Sequence, residues 1–341
     1  MADKPKVWYL PVPSHTERVF RAEHFEAMLD EFDVTVNDLD RNLSTEELAA
    51  GIAPYDAVVS GWGTPSFSAE ALAAAQRLRI VAHSAGSVKH LFPEDLVSEH
   101  LLPRGIVVFS ANEAIALNVA ETTVGLLIMA SRRWPDLIYN FRETGRWRAE
   151  GVPTNGQYLR GSKLGLVSAS KVGREVISLL QGWDVSFLVY DPYLSDEAAA
   201  ALGVTKVGLN ELFEQADHVT VHAPSIPETD GMIGAEQLRL MRDGAALVNT
   251  ARGSVIDHDA LYEEAKTGRI MVALDVTTPE PLPPDSPLRS LPNVYVTPHV
   301  AGAGCYGYQK IGETTLQALR DCFAGRPVRG AVDFSHWAQL A

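Results

Sequence analysis

The sequence predicts an α/β protein built on doubly wound parallel sheets, and three observations predict it. Strand-length apolar runs alternate with amphipathic helical stretches along most of the chain, an order that lays parallel strands side by side with helices on both faces. Residues 163–191 read strand, small-residue turn, helix, strand, terminal acid. Further on, three strand-like runs are each followed by a residue of strong chemistry: Arg252, then Glu280 five residues past Asp275, then His299.

The elements follow in order. Residues 7–10 form an apolar strand, 17–32 an amphipathic helix and 34–36 the next strand. Ser44-Thr45-Glu46-Glu47 has the spacing of a capping box and opens a short helix. Residues 57–60, 79–82 and 106–109 are further strands, with a helix after Ser68 between the first two. Ligands on such sheets sit outside the carboxyl ends of the strands. That rule singles out Ser60-Gly61-Trp62-Gly63 and Ser84-Ala85-Gly86-Ser87, where glycines let backbone N–H groups approach an anion. Gly63 is equally well explained as plain turn chemistry.

From Asn118 to about Trp147 the pattern is one long helix interrupted at Pro135, longer than a crossover needs and suited to linking two domains. Gly125 within it suggests close packing. Trp134, Tyr139 and Trp147 read as core or interface residues rather than ligand contacts.

Residues 163–191 have the pattern of a dinucleotide-binding βαβ unit. The helix N-terminus offers unpaired N–H groups and a positive dipole end to a pyrophosphate. Asp191, 18 residues past Gly173, would take ribose hydroxyls. The glycine fingerprint is incomplete, because Ser168 and Ser170 stand where the first two glycines are expected. An ordinary α/β crossover closed by small residues is the competing reading. Downstream, short helices at 211–216, 236–241 and 260–266 alternate with strands at 218–221, 245–249, 271–274 and 294–296, and a final amphipathic helix spans 308–323. His222, at a strand end, either touches a cofactor or is structural.

Composition narrows the function. With 341 residues and 46% hydrophobic content the chain can bury two cores. A net charge of −14 argues against nucleic-acid or anionic-membrane partners. No apolar run is expected to span a membrane, and the N-terminal MADKPKVWYL is expected to enter a strand rather than serve as a signal peptide. Two cysteines, Cys305 and Cys322, suit a reducing, cytoplasmic setting, and no Cys/His cluster has metal spacing. A cation, a carboxylate and an imidazole on the edge that carries a dinucleotide turn suit hydride chemistry on a carbonyl. The imidazole protonates the oxygen, the carboxylate orients it, and the cation holds a substrate carboxylate.

With LVNTARGSVIDHDAL, ALDVTTPEPLPPDSPL, NVYVTPHVAG, VYDPYLS and VHAPSIPETDGMIG in place, the chain resembles the D-isomer-specific 2-hydroxyacid dehydrogenase family over nearly its whole length. The resemblance implies a flavodoxin-like substrate domain made of both chain ends, with an inserted Rossmann-type NAD-binding domain and the site in the cleft. The boundaries follow as residues 1–117, 118–302 and 303–341, the last returning to the substrate domain. It implies Arg252 as the substrate-binding arginine, Glu280 as the carboxylate supporting the histidine, and His299 as the acid/base. The expected NAD contacts are Ser170, Lys171, Val172, Asp191, His222, Ala223, Pro224, Thr250 and Asp275. The expected substrate contacts are Trp62, Gly63, Gly86, Ser87 and Arg252. No metal is expected. The sequence departs from the family pattern at Ser168, Ser170, Ser84 and Gly304. The implied activity is NAD-dependent reduction of a 2-keto acid to a D-2-hydroxy acid by a homodimer. The alternative is a non-catalytic, NAD(H)-sensing regulator on the same fold.

Overall fold

The computed structural model describes residues 3–148 and 156–339. The chain divides into two compact units, one comprising Met1–Ala116 with Ala303–Ala341 and the other Leu117–Gly302.

The first unit is a five-stranded sheet of β1 (Lys6–Tyr9), β2 (Asp33–Val36), β3 (Ala57–Ser60), β4 (Ile80–His83) and β5 (Val107–Ser110). The strand order is β2-β1-β3-β4-β5 with every pairing parallel, the flavodoxin-like arrangement. β3 and β4 are buried on both faces, as continuous apolar strands inside a parallel sheet must be. One core, including Leu48, Val58, Phe67, Leu72 and Phe92, covers one face. Val7, Tyr9, Met28, Val59 and Phe109 pack on the other with Ile311 and Leu319 of the C-terminal helix Cys305–Phe323. Both sequence-predicted helix starts hold: Ser44 closes a capping box with Glu47, and Ser68 caps the helix Ala69–Ala74.

The amphipathic run at 17–32 is two helices, Pro13–Val19 and Ala22–Glu31. The chain turns extended at Phe20, whose ring is buried edge-on against Tyr9 and Phe25. The break also admits the C-terminal helix: a Cβ on Gly312 would lie 2.5 Å from the Val19 carbonyl oxygen.

The second unit is a seven-stranded parallel sheet. Its strands are β6 (Lys163–Val167), β7 (Ser186–Tyr190), β8 (Thr205–Lys206), β9 (His218–Val221), β10 (Ala246–Asn249), β11 (Met271–Leu274) and β12 (Val294–Val296). The order β12-β11-β10-β9-β6-β7-β8 reverses direction between β6 and β9, which is the topological switch point where such sheets take ligands. The α/β class predicted from the sequence is the class observed, in both sheets. The helix Asp196–Leu202 and the edge strand β8 were not predicted; Ser195 caps that helix and Gly203 ends it in the left-handed region.

The long linking helix also differs from expectation. It starts at Asn112, runs to Ser131, and is followed by a second helix, Trp134–Thr144. The break precedes Pro135 because Arg133 takes a left-handed φ of 55°. Pro135 then lies in the first turn of the second helix, where its missing N–H costs nothing. Contrary to the sequence expectation, Asn112–Ser131 is long and apolar enough to cross a membrane by length and composition alone. Half of that stretch is buried within the protein, with Ala120, Leu126, Leu127 and Ala130 in the core of the second unit, the pattern of a core helix.

Candidate functional site

The carboxyl edge of the second unit carries most of the chemistry. After β6 the chain makes its tight turn with Ser168 at φ 82°. A residue with a Cβ costs about 1–2 kcal/mol there, and the hydroxyl compensates by donating to Asp191 Oδ2 at 3.1 Å. The same oxygen accepts Ala169 N at 2.9 Å, while Oδ1 accepts Tyr193 N at 2.9 Å. Ser170 is the N-cap of the helix Lys171–Leu180, its hydroxyl accepting Gly173 N. A Cβ on Gly173 would stand 2.5 Å from the Ser168 carbonyl oxygen, so only glycine lets the helix approach the strand this closely. Lys171 is exposed at the first helical position and Val172 is half-buried. These residues fit a dinucleotide: a capped helix N-terminus with a cation beside it faces the turn, and an acid ends the next strand.

The strand-end segment His222-Ala223-Pro224 is mostly buried. The His222 ring is inside the protein with Nε2 3.2 Å from Thr220 Oγ1, and burial pushes its pKa down to about 3. Thr250 is buried, its hydroxyl 2.7 Å from that of Thr123 on the long helix.

Arg252, Glu280 and His299 follow β10, β11 and β12, which are neighbours in the sheet. Asn249, at the end of β10 and fully buried, fixes the Arg252 turn by accepting Ala251 N and donating to the Arg252 carbonyl oxygen. The next residue must be glycine, because a Cβ on Gly253 would sit 2.1 Å from the Thr277 carbonyl carbon. The Arg252 guanidinium is partly buried, which lowers its pKa, and the charge of Glu280 opposes that shift. His299 Nδ1 lies 2.5 Å from Glu280 Oε1. With Nδ1–H donated to the carboxylate, Nε2 is the nitrogen left to exchange a proton.

Asp275, expected among the cofactor contacts, is 2% exposed and its carboxylate is used internally. It accepts Thr297 Oγ1 at 2.5 Å, Val300 N at 2.9 Å and Ala301 N at 2.8 Å. The turn that bears His299 is thus built on it, with His299 itself at a left-handed φ of 53°. On the other side, Asn118 Nδ2 and Thr122 Oγ1 of the long helix donate to the Gly302 and Ala301 carbonyls. Sequence reasoning missed Asn118, Thr122, Thr123 and Asn249. The signal available was a polar residue directly ending a buried strand, as at Asn249.

The first unit has its own carboxyl edge. Gly61-Trp62-Gly63-Thr64 forms a tight turn closed by Thr64 Oγ1, which accepts Gly61 N at 3.0 Å. Gly63 is required there: φ is 81° and a Cβ would meet Asn42 Nδ2 at 2.1 Å. Trp62 is 39% exposed and stands edge-on between His15 and Tyr308. Gly86 is held by Ser110 Oγ, which donates to its carbonyl at 2.6 Å. Ser87 Oγ accepts Lys89 N at 3.4 Å. Ser84, where the sequence resemblance led one to expect glycine, is fully buried and donates its hydroxyl proton to the Ser60 carbonyl at 2.7 Å. It therefore accepts from His15 Nε2 at 2.9 Å, which fixes the tautomer of that ring. Burial pushes His15 down to about 4 and His83, bonded to Ser60 Oγ, down to about 3. No sequence motif pointed to this histidine–serine network. Among the described residues no group of three or more His, Cys, Asp or Glu is arranged to hold a metal.

Residues 124–301 match the profile of the D-isomer specific 2-hydroxyacid dehydrogenase family, NAD binding domain. A D-3-phosphoglycerate dehydrogenase of Archaeoglobus fulgidus is 35% identical over 292 residues, 85% of this chain and 54% of its own length. A glyoxylate reductase of Korarchaeum cryptofilum is 36% identical over 267 residues, 77% of this chain and 78% of its own. The chain spans about half the length of the phosphoglycerate dehydrogenases it matches. The crystal structure of a phosphoglycerate oxidoreductase from Rhizobium etli superposes with a TM-score of 0.83 at 26% identity, covering 97% of this chain and 99% of that one.

Proposed function

We propose, from the premise that this chain belongs to the D-isomer specific 2-hydroxyacid dehydrogenase family, that it is an NAD(H)-dependent reductase of a 2-keto acid, producing the D-2-hydroxy acid. The observation that carries the reading is the His299 Nδ1–Glu280 Oε1 contact of 2.5 Å on the sheet edge that also bears Arg252. The dinucleotide, when bound, supplies the hydride. Arg252 binds the substrate carboxylate with its planar fork. His299 gives the proton on Nε2 to the keto oxygen, and Glu280 keeps the ring oriented by holding Nδ1–H. In the reverse direction the same nitrogen takes the proton back. Asp191 binds the ribose, and its charge opposes a 2′-phosphate, so NAD(H) is the cofactor rather than NADP(H). Lys171 and the N–H groups at the start of the helix Lys171–Leu180 bind the pyrophosphate. The proposed substrate contacts in the first unit are Trp62, Gly63, Gly86 and Ser87.

The protein is proposed to be cytoplasmic, in keeping with two free thiols at Cys305 and Cys322. It is proposed to be a homodimer joined through the helix Trp134–Thr144, with neither nucleic acid nor membrane as partner. The apolar residues that support this lie on that helix and not on the apolar run before it. Leu126 and Leu127 are buried in the core, while Trp134, Ile138, Tyr139 and Phe141 are exposed at 46–69%. A regulator without activity is the weaker reading, since the relatives named above are dehydrogenases and a reductase.

The test is NADH consumption with a panel of 2-keto acids, on wild type and His299→Ala. Turnover should fall by about 10²–10⁴-fold in the variant. Tight NADH binding with no turnover on any keto acid would favour the regulator.

A further inference from the structure

The turn after β6 holds a competitor for its own ribose acid. The Asp191 carboxylate has about four lone-pair positions, and the chain takes three of them through Ser168 Oγ, Ala169 N and Tyr193 N. Both donors on Oδ2 come from the turn itself. Two of the three are main-chain N–H groups, which leave only if the backbone moves. The third is a hydroxyl, a rotor that swings away at little cost. Ser168 is also the turn residue at which the backbone, at φ 82°, favours glycine.

We propose, resting on the reading of Asp191 as the ribose-binding acid, that Ser168 is an affinity-setting residue: only one lone-pair position on the carboxylate stays open, so a ribose that gives both of its hydroxyls to Asp191 must displace the Ser168 hydroxyl from Oδ2. Binding then exchanges one charge-assisted hydrogen bond for another and gains correspondingly less. The serine thus lowers affinity while securing the turn in the absence of cofactor. Without a side chain to compete, a glycine would leave that oxygen to the nucleotide.

The proposal separates affinity from stability, and calorimetric titration with NADH together with thermal melts of the nucleotide-free protein reads both. Ser168→Ala should bind NADH roughly 3- to 10-fold more tightly, the net worth of one intramolecular hydrogen bond, and melt lower because the left-handed strain stays while the bond is lost. Ser168→Gly should tighten NADH binding by a similar factor and melt at or above the wild-type temperature. In an Asp191→Ala background, Ser168→Ala should leave NADH affinity unchanged. If Ser168→Ala binds NADH no better than wild type, or worse, the hydroxyl does not compete and the proposal is overturned. If Asp191→Ala binds NADH as well as wild type, the ribose assignment itself fails, a separate and recognisable result.

Discussion

Asp275 grips the backbone of His299 and its successors from within the protein. Its carbonyl oxygen accepts His299 N at 2.9 Å, and its carboxylate accepts the N–H groups of Val300 and Ala301. His299 lies in the left-handed region, where a non-glycine residue persists only if its surroundings hold it. The position of the imidazole is therefore set by Asp275 as much as by Glu280.

Asp275→Asn should expose that dependence. The amide can replace only one acceptor oxygen and turns its NH₂ toward a backbone donor, so the turn loosens. The expected outcome is a loss of about 1–3 kcal/mol in unfolding free energy and a roughly 10- to 100-fold fall in kcat, since small misplacement of a reacting group is costly. KM for the keto acid should change much less. Denaturant melts and steady-state kinetics check both. A variant changed only in NADH affinity would support Asp275 as a direct cofactor contact instead.

What the sequence disclosed and what it hid divide along a physical line. Local chemistry was legible: Ser44 and Ser68 announce helix starts, and the apolar runs ending in Asn249 and Leu274 are strands at those residues. Arg252, Glu280 and His299 were readable as strand-end groups, because a charge beside a buried strand is costly unless it is paired or turned toward a ligand. Tertiary requirements were hidden. The break at Phe20 arises from a helix near the opposite end of the chain, which packs its Gly312 against it. Leu126 and Leu127 belong to the same long apolar pattern as Ile138 and Tyr139 in the sequence, but the fold buries the first pair and exposes the second on the next helix. The His15–Ser84–Ser60 network joins three segments that share no motif. The left-handed turn at Ser168 was foreseeable from the missing glycine, whereas the direction of its hydroxyl was not.

Arg252 offers a test of substrate charge. Its side chain is partly buried, and within the described residues it donates to the Ala251 carbonyl at 2.7 Å. Arg252→Ala should reduce kcat/KM for 2-keto acids by about 10²-fold or more, with far smaller losses for uncharged ketones, because a charge-assisted, bidentate contact disappears. Arg252→Lys should recover only part of the activity, lacking the planar fork. Equal losses on acids and ketones would make Arg252 a structural residue.

The exposed face of the helix Trp134–Thr144 makes the assembly testable. Trp134, Ile138, Tyr139 and Phe141 present an apolar surface that a monomer would leave to water. Light scattering at micromolar concentration should give twice the 37.1 kDa chain mass. A paired Ile138→Glu, Tyr139→Glu variant should shift it toward the monomer, by burying charge in the contact. A monomeric wild type would refute the proposed interface.

The buried histidines predict how the fold responds to acid. Burial holds His15 at about 4, and His83 and His222 at about 3, with nearby Arg18 adding to the shift at His15 and His90 to that at His83. An unfolded histidine titrates near 6.5. Each folded value is the lower of the two, so between them the unfolded chain binds more protons and stability rises with pH. The contribution is complete above the unfolded value and is lost progressively as the pH falls from about 6.5 toward 4 and then 3. Within that window each histidine removes on the order of 1 kcal/mol per pH unit. The melting temperature should therefore drop by roughly 5–10 °C between pH 7 and pH 5. His83→Asn, which cannot titrate, should melt lower at pH 7 because it loses packing, yet show a shallower decline with acid. Because His15 and His83 lie in the first unit and His222 in the second, hydrogen exchange at pH 5 should show protection falling in both sheets. A melting temperature that stays level from pH 7 to pH 5 would mean these rings are not buried in their neutral form.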